Sequence, residues 1–251
     1  AQQLGLKTIA WAQGIGPLQR PPTRWMAREV LRRCTAVSVR DRASAQLVSH
    51  WHIPVTFAPD PVWALEAKPV KSLGELAAPR VAVTWRSHPQ LTQERLANLT
   101  QALIDFQKKT QTCLLLVPFQ ASQDLAIARD LASQLPGSYQ IISLEDPREL
   151  KGLFRGVEMA IGMRFHSLIM AAAEGCRCFA LSYDPKVTQL MEELNLPGWE
   201  LAQIPDDPAQ ICTTWLEHYV NGQPLTGVEI QSSVDRALRH QQLLRQALSC
   251  F

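Results

Sequence analysis

Two turns in the second half of the sequence combine residue types that bind an anion and move a proton. GMRFH occupies 162–166 before the apolar stretch SLIMAAAEG, and SYDPK occupies 182–186 before another helical pattern. Each turn follows a predicted strand, so Arg164, His166 and Lys186 fall near helix N-termini, where backbone N–H groups favour negative charge. Lys186 opposes the helix dipole at that position, and an anionic ligand would offset the cost. We predict Arg164 and His166 as catalytic residues and Lys186 as an anion-binding residue.

Two further arginines occupy the same kind of position. Arg86 follows the predicted strand 81–85 and Arg40 follows the predicted strand 35–39. Ligands of open parallel sheets bind beyond the carboxyl ends of strands. An Arg offers a carboxylate a bidentate fork, and a His can transfer a proton near neutral pH. We therefore predict Arg40 and Arg86 as substrate-binding residues; ordinary ion-paired surface residues remain the alternative, which Asp41 favours at Arg40.

The elements that must position these residues alternate between strand and helix, which predicts an α/β fold with parallel sheets. We assign 1–67 to the second half of an N-terminal lobe, 68–79 to a linker, 80–228 to a C-terminal lobe with the donor site, and 229–251 to a terminal helix. Three strands do not complete the first lobe, so we expect it to be incomplete and to continue upstream. Two such lobes in series predict a ligand cleft between them.

A basic stretch over 20–42 holds seven arginines against Glu29 and Asp41. Arg24, Arg28 and Arg32 follow at i, i+4 spacing and so share one helix face. The usual meaning of such a face is contact with solvent. The more specific hypothesis is peripheral docking to an anionic membrane or to a lipid-linked diphosphate substrate.

Composition narrows the function classes. The 251 residues are 46% hydrophobic and 19% charged, and 25 Lys+Arg against 23 Asp+Glu leave a net charge of +2, which argues against a nucleic-acid binder. The longest apolar runs are strand-sized, too short to span a membrane. Scattered cysteines and the absence of a zinc spacing, a Walker loop or a nucleophile elbow lead us to expect a cytoplasmic enzyme without metal or cofactor.

With these residues in place, the sequence resembles the polysaccharide pyruvyl transferase family of the CsaB type. The resemblance rests on GMRFHSLIMAAAEG followed by LSYDPKV, and QGIGPL, SVRDRAS and VPFQASQD agree in order. Members of that family are longer at the N-terminus. The resemblance therefore implies an N-terminally truncated member with two Rossmann-like lobes in a glycosyltransferase-B-like (GT-B) architecture.

The resemblance also implies a reaction. The family moves the enolpyruvyl group of phosphoenolpyruvate onto two hydroxyls of one sugar of a cell-wall or extracellular polysaccharide precursor, forming a cyclic ketal and releasing phosphate. Arg40, His166 and Lys186 match family positions that hold phosphoenolpyruvate, the last two at its phosphate. The resemblance does not assign Arg164 and Arg86; we predict these two residues because each follows a predicted strand. The implied partners are phosphoenolpyruvate and a sugar acceptor. If the basic helix face docks to a lipid-linked substrate, that acceptor is lipid-linked.

Two other functions remain open. A glycosyltransferase of the same fold would bind a nucleotide-sugar and needs an acidic residue for the ribose, which Glu145 or Asp146 could supply. A non-catalytic module that senses a phosphorylated metabolite would retain binding but release no phosphate. A glycosyltransferase differs from a pyruvyl transferase in binding a nucleotide-sugar instead of phosphoenolpyruvate. A non-catalytic module differs in releasing no phosphate.

Overall fold

A computed structural model describes residues 1–249, apart from the side chains of Gln3 and Ser72. The chain forms two compact units. The first comprises Ala1–Leu65 together with Val228–Phe251, and the second comprises Glu66–Gly227. The chain thus leaves the first unit and returns to it at the end. The division into domains inferred from the sequence stays a prediction.

The helices and strands follow one another in strict alternation over most of the chain. The first unit opens with β1 (Ile9–Gln13), α1 (Pro21–Arg32), β2 (Ala36–Val39), α2 (Arg42–His50) and β3 (Thr56–Phe57). The second unit contains β4 (Arg80–Thr84), α3 (Gln93–Thr110), β5 (Cys113–Leu116), α4 (Ala121–Gln134), β6 (Tyr139–Ile141), α5 (Pro147–Leu153), β7 (Met159–Gly162), α6 (Phe165–Ala173), β8 (Arg177–Ser182), α7 (Pro185–Leu194), β9 (Gly198–Glu200) and α8 (Pro208–Asn221). The chain ends with α9 (Gly227–Ala237) and α10 (Arg239–Ser249).

The first unit is built on a three-stranded parallel sheet in the order β1-β2-β3. Its apolar core comprises Leu31, Val37, Val39, Val48, Trp51 and Ile53. Helix α10 packs against all three strands, so an element from the end of the chain covers the sheet formed at its beginning.

The second unit is built on a six-stranded parallel sheet in the order β6-β5-β4-β7-β8-β9. Strands β5 (CLLL) and β7 (MAIG) are apolar along their whole length, which is typical of parallel strands covered on both faces. Trp215 of α8, Phe106 of α3 and Phe179 of β8 are fully buried in the core. The sheet places β4, β7 and β8 side by side, with their carboxyl ends at one edge.

The predicted α/β class with parallel sheets is confirmed, and the structure adds two features. Strand β9 has only three residues and was not predicted. The terminal helix predicted over 229–251 is divided at Leu238 into α9 and α10, and its last two positions, 250 and 251, lie outside the described residues. Because hydrogen bonds from Leu238 N to Val234 O and from Gln242 N to Leu238 O cross the interruption, the helical pattern in the sequence continues through it.

Candidate functional site

The turn between β7 and α6 is shaped by close packing. A Cβ atom added to Gly162 would lie 2.9 Å from Leu168 Cδ2 and 3.0 Å from Thr84 Oγ1, so only glycine fits without displacing a neighbour. Arg164 is the N-cap residue of α6, and its carbonyl accepts a hydrogen bond from Ser167 Oγ at 2.7 Å. These contacts fix where α6 begins and place Arg164 and His166 at its N-terminal end.

Arg164 is bound to a buried carboxylate of the same unit. Its Nε donates to Asp124 Oδ2 at 3.1 Å, and its Nη2 donates to Asp124 Oδ1. Asp124 is fully buried in the first turn of α4, where its Oδ2 also accepts from Gln120 N at 2.9 Å. Two of the three guanidinium nitrogens of Arg164 thus face an internal partner. A catalytic role for Arg164 stays a prediction; its contacts hold α4 against the start of α6.

Arg86 lies in the same network. Its Nη1 donates to Tyr183 Oη at 2.9 Å and its Nη2 to Gln123 Oε1 at 2.6 Å. Gln123 Oε1 also accepts from Arg164 Nη2 at 3.4 Å, so Gln123 joins the two arginines. The loops after β4, β7 and β8 are thereby tied to the start of α4. Gln123, Asp124 and the phenol of Tyr183 are not among the residues predicted from the sequence, because each contacts an arginine far away along the chain.

The turn between β8 and α7 has a standard helix start. The Asp184 carboxylate accepts from Lys186 N at 2.9 Å, and Pro185 is the first helical residue. The Lys186 side chain is half-buried. Within residues 1–249, no hydrogen bond or ion pair links its ammonium group to another side chain. A partly desolvated cation at a helix N-terminus favours a bound anion.

His166 completes this arrangement. It lies half-buried in the first turn of α6, with its ring centre 5.4 Å from that of Phe165. Strands β7 and β8 pair in register with Gly162 opposite Ala180, so the two strands are neighbours in the sheet. Helices α6 and α7 therefore both begin at the same edge of the sheet, and they pack against each other. We refer to His166, Lys186 and these two helix N-termini as the anion site, after the ligand class predicted for them; that this site binds an anion stays a prediction.

Arg40 belongs to the first unit, where it follows β2. Its Nη1 forms an ion pair of 3.0 Å with Oδ2 of Asp60, which is buried. A Cβ atom on Gly14 would lie 3.2 Å from Arg40 Nε, so the backbone of the QGIGP turn packs directly against the guanidinium. The Arg40 side chain is 26% exposed, which leaves it accessible to a ligand despite these contacts.

A groove of about 500 Å³ adjoins the β8–α7 turn. Its walls include the carboxylates of Asp184, Glu192 and Glu200 and the hydroxyls of Ser182 and Thr188. Thr188 Oγ1 contacts Ser182 Oγ at 2.8 Å and donates to Glu200 Oε1 at 3.4 Å. Because its described walls carry three acidic residues and no basic one, the groove suits a neutral polyhydroxy ligand better than a phosphate.

In the part of the chain that the structure describes, the cysteines and the metal-ligating residue types show no second site. Burial raises the pKa of the Cys178 thiol to about 12 and that of Cys176 well above its ordinary range, which disfavours a nucleophilic thiolate. Among residues 1–249, no three His, Cys, Asp or Glu side chains form a group suited to a metal ion. In the same range, no helix is long and apolar enough to cross a membrane.

The fold of two Rossmann-like lobes is that of GT-B glycosyltransferases and epimerases. HepE of Anabaena, in complex with UDP and glucose, is 13% identical, with a TM-score of 0.61 over 100% of this chain and 73% of its own. The UDP-GlcNAc 2-epimerase of Methanocaldococcus jannaschii is 11% identical, with a TM-score of 0.68 over 97% of this chain and 71% of its own. A similar enzyme of Listeria monocytogenes, described as a UDP-N-acetylglucosamine 2-epimerase, is 12% identical (TM-score 0.66, 97% and 68%). At these identities the likeness concerns the fold.

The sequence itself assigns the family. A profile of the polysaccharide pyruvyl transferases matches residues 1–185. The matched range includes the GMRFH turn and ends one residue before Lys186 in the SYDPK turn. The chain therefore belongs to the polysaccharide pyruvyl transferase family, and it is a transferase that acts in polysaccharide modification. No curated protein sequence is significantly similar to it.

The Arg164–Asp124 ion pair should stabilise the second unit. Asp124→Asn removes the charge that faces Arg164 in a buried position, and we expect it to lower the free energy of unfolding by about 3 kcal/mol, as for other buried pairs that lose one partner. Urea denaturation measures the change. Asp105→Asn is the control, because its pair with Lys108 is 4.0 Å long and largely exposed. Equal stabilities of the two variants would contradict a structural role for Asp124.

Proposed function

We propose that this transferase moves the enolpyruvyl group of phosphoenolpyruvate onto two hydroxyls of one sugar in a cell-wall or extracellular polysaccharide precursor. The product is a cyclic pyruvate ketal, and phosphate is released. The observation that carries the proposal is the anion site, where the N-termini of α6 and α7 meet at one sheet edge with a half-buried His166 and Lys186. The family assignment supplies the reaction class.

The anion site suits the phosphate of the donor. A Lys ammonium acts on phosphate as a point charge, and backbone N–H groups at two helix N-termini add donors. Arg40 is assigned to the same donor by the family resemblance, and its guanidinium suits a carboxylate. Arg86 remains a further predicted donor contact, although Tyr183 and Gln123 already accept hydrogen bonds from it.

The reaction then needs one acid and one base. Protonation of the methylene carbon of phosphoenolpyruvate makes the carbon that bears the phosphate electron-poor. A sugar hydroxyl attacks that carbon and gives its proton to the base, which restores the proton used on the methylene carbon. The C–O bond to phosphate breaks, a second hydroxyl closes the ketal ring, and its proton leaves on the released hydrogen phosphate. His166 is the candidate for proton transfer, because imidazole exchanges protons near neutral pH. Lys186 would stabilise the charge that develops on the departing phosphate.

The acidic groove beside α7 is the candidate place for the acceptor. Carboxylates and hydroxyls pair well with sugar hydroxyls, and Asp184 belongs to the same turn as Lys186. An acceptor in the groove would therefore approach the donor from the side of α7. The identity of the sugar is left open by this chemistry.

A nucleotide-sugar glycosyltransferase is the second candidate function. The similar structures of HepE and the epimerase favour it, since the former contains UDP and glucose. In this chain, however, Asp146 caps α5 by accepting from Arg148 N at 2.8 Å and pairs with Lys68 at 3.6 Å. That leaves Glu145 as the predicted ribose contact. A phosphometabolite-binding module without turnover remains the third candidate and would release no phosphate.

Lys186→Gln tests the anion site directly. Removing the ammonium group should weaken phosphoenolpyruvate binding about 10- to 100-fold, the usual cost of losing a charge-assisted hydrogen bond. Isothermal titration calorimetry with the 251-residue chain measures the dissociation constant. Lys108→Gln is the matched control, because Lys108 is an exposed lysine near the C-terminal end of α3. If both variants bind the donor as the unmodified chain does, Lys186 does not hold it.

We further propose that the enzyme works in the cytoplasm at the inner face of the membrane, on a lipid-linked acceptor, with α1 in peripheral contact with the lipid. Helix α1 exposes large apolar side chains, at 64% for Trp25, 59% for Met26 and 54% for Val30. Arg24, Arg28 and Arg32 are exposed on the same helix. Basic side chains beside exposed aromatic and apolar groups are typical of helices that lie in a membrane interface.

Vesicle binding tests this contact. Replacing Arg24, Arg28 and Arg32 together by Gln should weaken binding to anionic phosphatidylglycerol vesicles about 100-fold, because three basic residues contribute about 1 kcal/mol each. Co-sedimentation against neutral phosphatidylcholine vesicles measures the effect. The control variant replaces Lys108, Lys109 and Arg129, three exposed cations of the second unit, by Gln. Equal losses in the two variants would show a non-specific charge effect and contradict a role for α1.

A further inference from the structure

We propose that His240, on the C-terminal helix α10, is a positioning residue for Arg40. The proposal builds on the donor-binding role given to Arg40 under the proposed function. It makes an element from the end of the chain part of the machinery that binds the donor carboxylate. The His240 ring contacts the backbone carbonyls at 58 and 59, the next residue is Asp60, and the Asp60 carboxylate pairs with the Arg40 guanidinium.

His240 contacts the segment that follows β3. The residue is fully buried, and its Nε2 lies 3.2 Å from Ala58 O and 3.0 Å from Pro59 O. Both partners are carbonyl oxygens, which only accept hydrogen bonds, so Nε2 must carry the proton and donate. One imidazole N–H therefore holds two successive carbonyls of the chain.

The other ring nitrogen defines the state of the imidazole. Nδ1 of His240 is buried and has no hydrogen-bond partner among the described residues. Burial lowers the pKa of His240 below its ordinary value, which keeps the ring neutral. His240 thus acts as a neutral, single donor at a fixed place on α10.

The segment held by His240 leads directly to the partner of Arg40. Asp60 follows Pro59, and its Oδ1 accepts from Val62 N at 3.0 Å, which begins the short 3-10 helix Pro61–Ala64. Its Oδ2 lies 3.0 Å from Arg40 Nη1. A displacement of the carbonyls at 58 and 59 would move the Asp60 backbone and, with it, the carboxylate that orients Arg40.

Two further contacts restrict the same assembly. The Trp11 indole N–H donates to the His240 carbonyl at 2.9 Å, which ties α10 to β1. In the connection between β1 and α1, the backbone at Gly14 packs against the Arg40 guanidinium. Arg40 has little freedom to adjust if Asp60 moves, so a lost hydrogen bond at His240 should be felt at Arg40.

Two substitutions separate positioning from packing. His240→Leu keeps an apolar volume but removes the donor, whereas His240→Gln places a side-chain N–H at a similar reach. His218→Leu is the matched control, since His218 is a partly buried histidine of the second unit whose Nε2 has no hydrogen-bond partner among the described residues. Phosphoenolpyruvate affinity is measured by calorimetry well below the unfolding temperature of each variant. Separately, the ¹⁵N–¹H resonance of Arg40 Nε is recorded by NMR without ligand; it is assigned by its loss in Arg40→Lys.

We expect His240→Leu to weaken phosphoenolpyruvate binding about tenfold, the effect of one buried hydrogen bond, and to shift the Arg40 resonance. His240→Gln should restore both, and His218→Leu should change neither. Equal impairment in the Leu and Gln variants, or an unchanged Arg40 resonance in both, would overturn the proposal. If His240→Leu does not fold, His240→Phe takes its place with the same criteria.

The ligand-free measurement separates this proposal from the proposed function. If the unmodified chain binds no phosphoenolpyruvate, the donor assignment fails, and the Arg40 resonance alone decides the role of His240. A shift in His240→Leu that His240→Gln reverses would then still support positioning. The absence of that shift would refute it.

Discussion

The parallel pairing of β7 with β8 is the interaction on which the site depends. It places Gly162 opposite Ala180, so the chain leaves both strands at one edge and begins α6 and α7 side by side. The first backbone N–H groups of each helix have no carbonyl acceptor within the helix. His166 and Lys186 occupy these first turns. A strand inserted between β7 and β8 would separate the two groups, whatever their identity.

Arg164 and Arg40, in the second and the first unit respectively, each pair with a carboxylate of their own unit. Asp124 faces Arg164 and Asp60 faces Arg40, and both carboxylates are buried. Such partners cost desolvation but fix a flexible guanidinium in one place before a ligand arrives. Lys186 differs, because its ammonium has no such partner among the described residues. The second unit therefore combines an oriented arginine, Arg164, with a lysine, Lys186, that is available to a ligand.

The sequence predicted what local patterns determine. Strand and helix alternation gave the α/β class, and the GMRFH and SYDPK turns located His166 and Lys186, because a turn, a cap and a helix start are written in consecutive residues. Asp124, Gln123, Asp60 and His240 could not be found in this way, since each acts on a residue at least twenty positions away. Strand β9 is too short for a periodic signal, and the division at Leu238 has no Gly or Pro to mark it.

The most direct test of the account is to titrate one preparation of the chain with phosphoenolpyruvate and with UDP-glucose in the same calorimeter. We predict saturable binding of phosphoenolpyruvate, competition by inorganic phosphate, and no binding of UDP-glucose. Saturable binding of UDP-glucose with no response to phosphoenolpyruvate would contradict it and assign the anion site to a nucleotide-sugar.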